Sequence, residues 1–184
     1  MNIHRLYLPL LTVLAIQAPF AAQAHEVHEH QQITSSPLQV TGPMPPLSQD
    51  VSELKFKDMF KMPVGPLGME PTEKLLSLDN KRVRIIGYMA QQEPATPGLF
   101  ILSPLPVHMG DEDDKFADDM PANSVFVHLE NSSLAPNYIP GLINLTGVLS
   151  IGNAEEADGR ISYVRIKLDS PTTELLTGKH QASN

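Results

Sequence analysis

Between residues 82 and 168 the sequence alternates apolar and polar side chains with a period of two. The alternating segments are rich in Val, Ile, Leu and Tyr and cover residues 82–89, 99–105, 124–129, 142–151 and 161–168. A period of two places successive side chains on opposite faces of an extended chain, so each segment predicts a strand with one buried and one solvated face. Asp158 and Gly159 predict the tight turn of a hairpin between the last two strands.

Two glycines, Gly87 and Gly147, lie inside these predicted strands. A glycine within a strand costs stability unless the strand must bend or approach another backbone closely. Small closed barrels need such bends at their corners. The pattern therefore predicts a mainly β protein whose five strands close into a small barrel.

The sequence before the strands has a helical rather than an alternating pattern. Apolar residues recur near helical spacing in residues 47–60 and predict a short amphipathic helix, and residues 72–78 predict a second one capped by Thr72. Residues 61–71 contain three Pro and two Gly and are predicted to be irregular. One barrel domain, with one or two short N-terminal helices, is expected over residues 47–170.

The barrel domain carries two patterns that resemble a known fold. Residues 78–87 read Leu-x-x-Lys-x-Val-x-Ile-x-Gly, and residues 145–149 read Leu-x-Gly-x-Leu. Together with the closing hairpin, they resemble the five-stranded OB-fold, and residues 56–169 resemble small exported bacterial domains of unknown function with an OB-like barrel. The resemblance implies the fold. OB-folds commonly bind oligonucleotides or sugars on one face, but a fold alone does not determine function.

The N-terminus has the three parts of an export signal. Arg5 supplies a positive charge, residues 6–16 are almost wholly apolar, and small residues occupy both recognition positions of Ala22-Gln23-Ala24. Residues 1–24 are therefore predicted to be a signal peptide, and a bacterial periplasm is the expected location. No later segment has the roughly 20 apolar residues of a membrane-spanning helix, so the mature protein is expected to be soluble.

Composition narrows the function further. The chain has 184 residues, 13 Lys plus Arg against 21 Asp plus Glu, and no Cys. The formal net charge of -8 argues against binding to the phosphate backbone of nucleic acids, and the lack of Cys excludes disulfides and thiolate metal sites. Residues 25–46, rich in His and Pro, are predicted to be a disordered tail, and residues 171–184 a flexible C-terminal tail.

The strongest chemical motif lies just after the predicted cleavage point. His25, His28 and His30 stand within six residues, and cleavage after Ala24 would add the amine of His25 to its imidazole. Imidazole and amine suit Zn(II) and Cu(II). These residues are therefore the candidate metal ligands; the alternative is a hydrophilic tail whose histidines are merely polar.

A weaker metal motif lies between the second and third predicted strands. His108 and Met109, followed by Met120, resemble the His-Met-x10-Met portion of periplasmic copper chaperones of the cupredoxin-like type, which implies a Cu(I) site with thioether ligands. The family's later His-x-Met pair has no counterpart, since position 142 is Leu. The two methionines are alternatively core residues that anchor a loop.

Two loops complete the candidates. Residues 110–119 carry six acids and predict a solvated loop, with weak Ca²⁺, Zn²⁺ or basic-partner binding as the alternative. Residues 61–70 contain Val64, Leu67 and Met69, and predict either a cover over one end of the barrel or an apolar docking surface.

No nucleophile elbow, phosphate loop, zinc-protease motif or dinucleotide glycine pattern is present in the sequence, and the expectation is that the protein is not an enzyme. The leading hypothesis is an exported binding or accessory protein that takes Zn(II) or Cu(II) through its His tail. The rival is an envelope interaction module associated with a transporter, in which loop 61–70 and the acidic loop contact a partner protein without metal.

Overall fold

The alternating segments form strands. The computed structural model of the chain describes residues 36–110 and 120–178, and within them the protein is mainly β, with six strands in one mixed sheet and two short α-helices. The strands are β1 (Ser52–Glu53), β2 (Arg82–Met89), β3 (Leu99–Ser103), β4 (Val125–His128), β5 (Leu142–Glu155) and β6 (Ile161–Leu168). The helices are α1 (Glu73–Ser77) and α2 (Ser170–Thr177), and a single 3-10 turn covers Phe56–Asp58.

The pairing of the strands links distant parts of the sequence. β2 pairs antiparallel with both β3 and β5, β3 pairs antiparallel with β4, and β5 pairs antiparallel with β6. β4 and β6 are parallel neighbours, and the short β1 runs parallel to β2. Hydrogen-bonded neighbours therefore follow the order β1, β2, β3, β4, β6, β5, and β5 also pairs with β2.

The main core lies on the face of the sheet that the alternation predicts. In β2, Val83, Ile85 and Gly87 are buried while Arg84 and Tyr88 are half-buried, as expected from the sequence. Gly147 in β5 is required by close approach: a Cβ there would collide with the carbonyl of Lys167 on β6 and lie 2.7 Å from Cγ2 of Ile166. The largest fully buried side chains in the described ranges include Leu54, Met59, Leu75, Ile85, Leu102, Ile143, Leu145, Leu149, Ile166 and Leu176.

A second, smaller apolar cluster covers the opposite face of β3 and β4. Leu99, Ile101 and Phe126 alternate with residues of the main core, and they pack with Ala90, Val107 and Met109. All five residues of β3 are consequently buried. This second layer explains why β3 shows no alternation of exposure.

The predicted helix over residues 47–60 is wrong. Ser52 and Glu53 instead pair with β2, and the amide of Leu54 donates to the carbonyl of Arg84 at 2.9 Å. Leu54, Met59 and Phe60 are buried in the main core, whereas Leu47 is 38% exposed. The edge of β2 supplies the backbone hydrogen-bond partners that a helix would otherwise provide. The second predicted helix is confirmed as α1, where the side chain of Thr72 accepts a hydrogen bond from the amide of Leu75 at 3.1 Å.

Both predicted tails contribute ordered residues to the domain. Leu38 is buried and its carbonyl accepts from the amide of Asn144 at 2.8 Å, so the chain from residue 36 onward runs along β5. Helix α2 occupies residues 170–177 and fully buries Leu176, whose carbonyl accepts from the amide of Asn137. The remaining tail residues, 25–35 and 179–184, and the predicted signal peptide lie outside the described residues.

Of the helices in the described ranges, none has the length and apolar character to cross a membrane.

Candidate functional site

An apolar hairpin, defined as residues 61–70, projects from the domain between the 3-10 turn and α1. The amide of Lys61 donates to the carbonyl of Glu70 at 2.8 Å, and the amide of Gly68 donates to the carbonyl of Gly65 at 3.0 Å. The side chains of Lys61 and Glu70 also form an ion pair of 3.0 Å. The segment contains no regular strand or helix, as predicted, but these bonds close it into the shape of a hairpin.

The apolar hairpin turns its large side chains into solvent. Met62 is 74% exposed, Val64 is 50% exposed and Leu67 is 92% exposed. Only Met69, near the base, packs against the main core. Of the two alternatives that the sequence leaves open, a cover over the core does not fit these exposures, whereas a docking surface does. A group of large apolar side chains on an ordered protrusion is typical of a protein interaction site.

A polar clasp holds the base of the apolar hairpin. The hydroxyl of Thr72 donates to the carbonyl of Asp58 at 2.6 Å, and the ammonium of Lys74 donates to the carboxylate of Asp58 at 2.7 Å. The hydrogen bond from Lys74 holds the pKa of Asp58 below its ordinary value. The clasp joins the two chain segments that enter and leave the hairpin, and leaves its tip free of core contacts.

The predicted copper residues of the barrel lie in different environments. His108 is exposed, whereas its neighbour Met109 is buried in the second apolar cluster. Met120 packs against the same cluster as a partly buried side chain. This placement favours the alternative interpretation of the methionines as core residues. Within residues 36–110 and 120–178, no group of three His, Asp or Glu side chains is placed to hold a metal ion. His25, His28, His30 and the acidic residues 111–119 lie outside the described residues.

A buried polar cluster that the sequence does not reveal lies at the end of β5 and the start of β6. Glu156, the residue that follows β5, is only 7% exposed. Ser162 donates its hydroxyl to Oε1 of Glu156, and Nη1 of Arg165 donates to the Ser162 hydroxyl at 2.9 Å. His128, on β4, places Nε2 at 3.0 Å from Oε2 of Glu156. The buried carboxylate thus accepts a hydrogen bond from Ser162 and has the His128 ring at ion-pair distance.

The order of these contacts argues for a structural role. In a serine hydrolase the serine is hydrogen-bonded to histidine, which a carboxylate then orients. Here the carboxylate of Glu156 lies between Ser162 and His128, and Ser162 is 1% exposed. Arg165 also donates to the carbonyl of Gly152 at 2.6 Å, at the irregularity in β5. The cluster therefore holds the bulge of β5 against β6 and β4.

A recess of about 280 Å³ opens between residues 92–97 and the turn at residues 157–160. Its polar groups are engaged with one another: Gln92 donates to the hydroxyl of Thr96 at 2.8 Å, and Arg160 forms an ion pair of 2.7 Å with Asp158. Two prolines, two alanines, Glu93 and Gly110 form the rest of its wall. The lining mixes two carboxylates with one guanidinium and identifies no ligand class.

Comparison with known proteins gives one weak similarity. Among solved structures, the chain is similar to a DUF3299 family protein from Pseudomonas aeruginosa PAO1, with 14% sequence identity and a TM-score of 0.43, over 64% of this chain and 92% of that chain. No protein-family model and no curated protein matches the sequence. A similarity at this level assigns no function, so the functional argument rests on the residues themselves.

Proposed function

We propose that this protein is an exported accessory module of the bacterial envelope that binds a partner protein through the apolar hairpin. The observation that carries the proposal is the exposure of Met62, Val64 and Leu67 on an ordered protrusion. Full burial of such a side chain contributes roughly 1.5–3 kcal/mol, so three of them are sufficient to anchor an interface. Export is supported by the signal-like pattern of residues 1–24.

The scaffold of this module is a small OB-like barrel in the proposal. Support comes from the circuit in which β2 pairs with β3, β3 with β4, β4 with β6, β6 with β5, and β5 with β2. Five strands that return to the first, with the third and fifth parallel, match the connectivity expected of a partly open Greek-key barrel. The hairpin is an insertion before the first strand of this circuit.

The partner surface is an apolar recess with a polar rim. At the base of the apolar hairpin, Lys61 pairs with Glu70 and Lys74 pairs with Asp58, so the charges around it are balanced. A strongly charged partner surface would gain little electrostatic attraction from such a rim. An apolar recess on a partner would instead gain binding energy by burying the side chains at the tip. This favours a partner protein over an anionic membrane surface, which the net charge of -8 also repels.

Site-directed crosslinking followed by affinity measurement tests the docking role. A photo-crosslinking residue at position 67 in the exported chain should give an adduct with one envelope protein, which is then purified. Leu67→Ser should weaken binding of that purified protein by at least about tenfold, which corresponds to 1.4 kcal/mol. Ile161→Ser is the matched control, because Ile161 is 64% exposed but lies on β6, away from the hairpin in the sequence.

The outcomes separate docking from ordinary surface contact. A tenfold loss with Leu67→Ser and no loss with Ile161→Ser supports the proposal. The proposal is contradicted if positions 67 and 161 give equal amounts of adduct, or if Leu67→Ser leaves the affinity unchanged. An adduct between two copies of this chain would show that the hairpin mediates self-association, and would replace the proposed partner.

A second candidate function, metal capture, is favoured by the spacing of His25, His28 and His30. Three imidazoles and a terminal amine form a ligand set for Zn(II) or Cu(II) without contribution from the domain. The two functions are compatible, because the hairpin and the His motif are separate in the sequence. In this proposal the tail supplies the metal ligands and the hairpin supplies the partner contact.

Calorimetry on the mature chain tests metal capture. Zn(II) or Cu(II) should bind in about a 1:1 ratio near pH 7.5 and lose affinity as the pH falls through about 6.5, where free imidazole is protonated. Replacing His28 and His30 by Ala should abolish most of the heat, whereas His108→Ala is the control, since His108 is exposed and lies beside a buried methionine. Undiminished binding in the tail variant would contradict the tail site, and loss in the His108 variant alone would move it to the domain.

A further inference from the structure

A basic depression lies on the face of β4, β6 and β5 that is turned away from the main core. Its donors are His128, Ser150, Arg165 and Lys167, and its volume is about 390 Å³. Strand register brings them together: Lys167 is paired with His128 on β4, and Arg165 is paired with Ser150 on β5. Alternate residues of a strand share a face, so Arg165 and Lys167 point to the same side.

The cationic groups of the depression keep unused hydrogen-bonding capacity. Lys167 is exposed, and its ammonium has no ion-pair or hydrogen-bond partner among residues 36–110 and 120–178. Arg165 uses Nη1 for its bonds to Gly152 and Ser162, while Nε and Nη2 make no hydrogen bond within the same residues. Two cations with free donors therefore lie on one face of β6, in a chain that has 13 Lys plus Arg against 21 acids.

The buried polar cluster fixes the position of Arg165. Its Nη1 is held by the Gly152 carbonyl and the Ser162 hydroxyl, and Ser162 is itself bonded to buried Glu156. A guanidinium that is held at one nitrogen presents its remaining donors in a fixed plane, which lowers the entropy lost when a ligand binds. Because Nε2 of His128 faces Glu156, a ligand would meet the opposite side of that ring.

We propose that the basic depression binds a small oxyanion, a carboxylate or a phosphate group. The free donors of Arg165 form a fork that suits two oxygens, and Lys167 adds a point charge two residues further along β6. Glu130 also lines the depression and Glu156 lies behind it, so a long polyanion is repelled while one anionic group is accommodated. The site is separate in sequence from the apolar hairpin and from the His tail, and does not depend on either.

The test is a titration of the mature protein with inorganic phosphate and, separately, with acetate, followed by amide NMR at pH 7 and constant ionic strength. Saturable shifts should centre on residues 128, 150, 165 and 167. Lys167→Gln should weaken binding about fivefold or more, as expected for a lost charge-assisted hydrogen bond. Lys57→Gln is the matched control, because Lys57 is also exposed but lies in the 3-10 turn.

The substitution Arg165→Lys separates the contribution of the two-donor guanidinium geometry from the contribution of its positive charge. It keeps the positive charge but loses the planar donors, and should weaken phosphate binding more than Lys57→Gln does. Should this variant fail to fold, the comparison between Lys167→Gln and Lys57→Gln decides alone. Saturation by either anion or by both supports the proposal and identifies which oxyanion the site accepts. Linear shifts spread over all exposed lysines, or an unchanged affinity in Lys167→Gln, overturns it.

Discussion

The interior of the sheet and the apolar hairpin use the same residue types for opposite purposes. Leu102 and Leu145 are fully buried between strands, whereas Leu67 at the tip of the hairpin is 92% exposed. Buried leucines stabilise the fold by leaving water, while an exposed leucine contributes nothing to the folded state until a partner covers it. The contrast shows that apolar composition alone does not separate folding residues from binding residues in this chain.

The two regions also differ in how they are held. Strand ladders and close backbone contacts order the sheet, as between β5 and β6. The hairpin depends on a few hydrogen bonds, the clasp of Asp58 with Thr72 and Lys74, and the packing of Phe60 against Tyr163, whose ring centroids are 6.1 Å apart. Substitutions in the sheet should therefore change stability, and substitutions at the tip should change only binding.

Gly147→Ala is expected to have the largest effect on stability. The new Cβ would meet the backbone of Lys167, which cannot move without disrupting the β5–β6 ladder. We expect a loss of at least about 3 kcal/mol in the free energy of unfolding, at the upper end of overpacking costs. Urea denaturation measures it. Gly42→Ala is the control, since no atom lies within 4 Å of the position of its Cβ, and a similar loss in both variants would contradict the steric argument.

Leu176→Ala should come second. Leu176 in α2 is fully buried in the main core, and truncating such a side chain leaves a cavity that costs about 2–3 kcal/mol. Leu76→Ala is the matched control, because Leu76 also lies in a short helix but is half exposed. Equal melting temperatures for the two variants would show that α2 does not belong to the cooperative core.

Two N-terminal truncations locate the residue at which the folded domain begins. Removing residues up to 35 should leave the melting temperature nearly unchanged, because the His- and Gln-rich composition of residues 25–35 predicts a segment that buries little apolar surface. Removing residues 36–40 as well should cost about 1–2 kcal/mol, since it exposes the surface under Leu38 and breaks its bonds to β5. Identical thermal melts of the two truncated proteins would show that residues 36–40 do not stabilise the domain, as the predicted tail over residues 25–46 requires.

Local pattern was sufficient to predict the strands whose two faces differ. The bounds of β2 and β6 agree with the prediction to the residue, because each alternates between the core and solvent. β5 extends past its predicted end to Glu155, since a bulge between Ile151 and Ala154 breaks the period while the pairing continues. The helix predicted over residues 47–60 was wrong because this segment pairs with β2, which is distant in the sequence. The spacing of apolar residues within the segment carries no information about that pairing.

The burial of the chain ends and the environments of the candidate sites were less predictable than the strands, because they depend on distant partners. Leu38 and Leu176 lie in polar stretches and become buried only when β5 and the loop around Asn137 are placed against them. The environment of Glu156 is set by His128 on another strand. Exposure of Leu67 runs against the usual preference of leucine for the interior, so no local signal could distinguish docking from burial.

The smallest expected effect concerns the clasp at the base of the apolar hairpin. The pKa of Asp58 is held below its ordinary value, chiefly by the hydrogen bond from Lys74, so the pair stabilises the folded state while Asp58 is ionised. That contribution is fully present above the unfolded pKa of about 3.9 and is lost as the pH falls through the lower folded value. Lys74→Gln should therefore lower the melting temperature slightly at pH 7, and the difference from the unsubstituted protein should close as the pH falls from 5 towards 3.

The control is Lys81→Gln, because Lys81 is an exposed lysine without an ion-pair partner in the described ranges, and it should show no such closing difference. Because both groups of the clasp are solvent-accessible, the difference should also shrink in high salt. A gap that persists unchanged to pH 3 would show that Lys74 supports the hairpin through the packing of its methylene chain rather than through its charge.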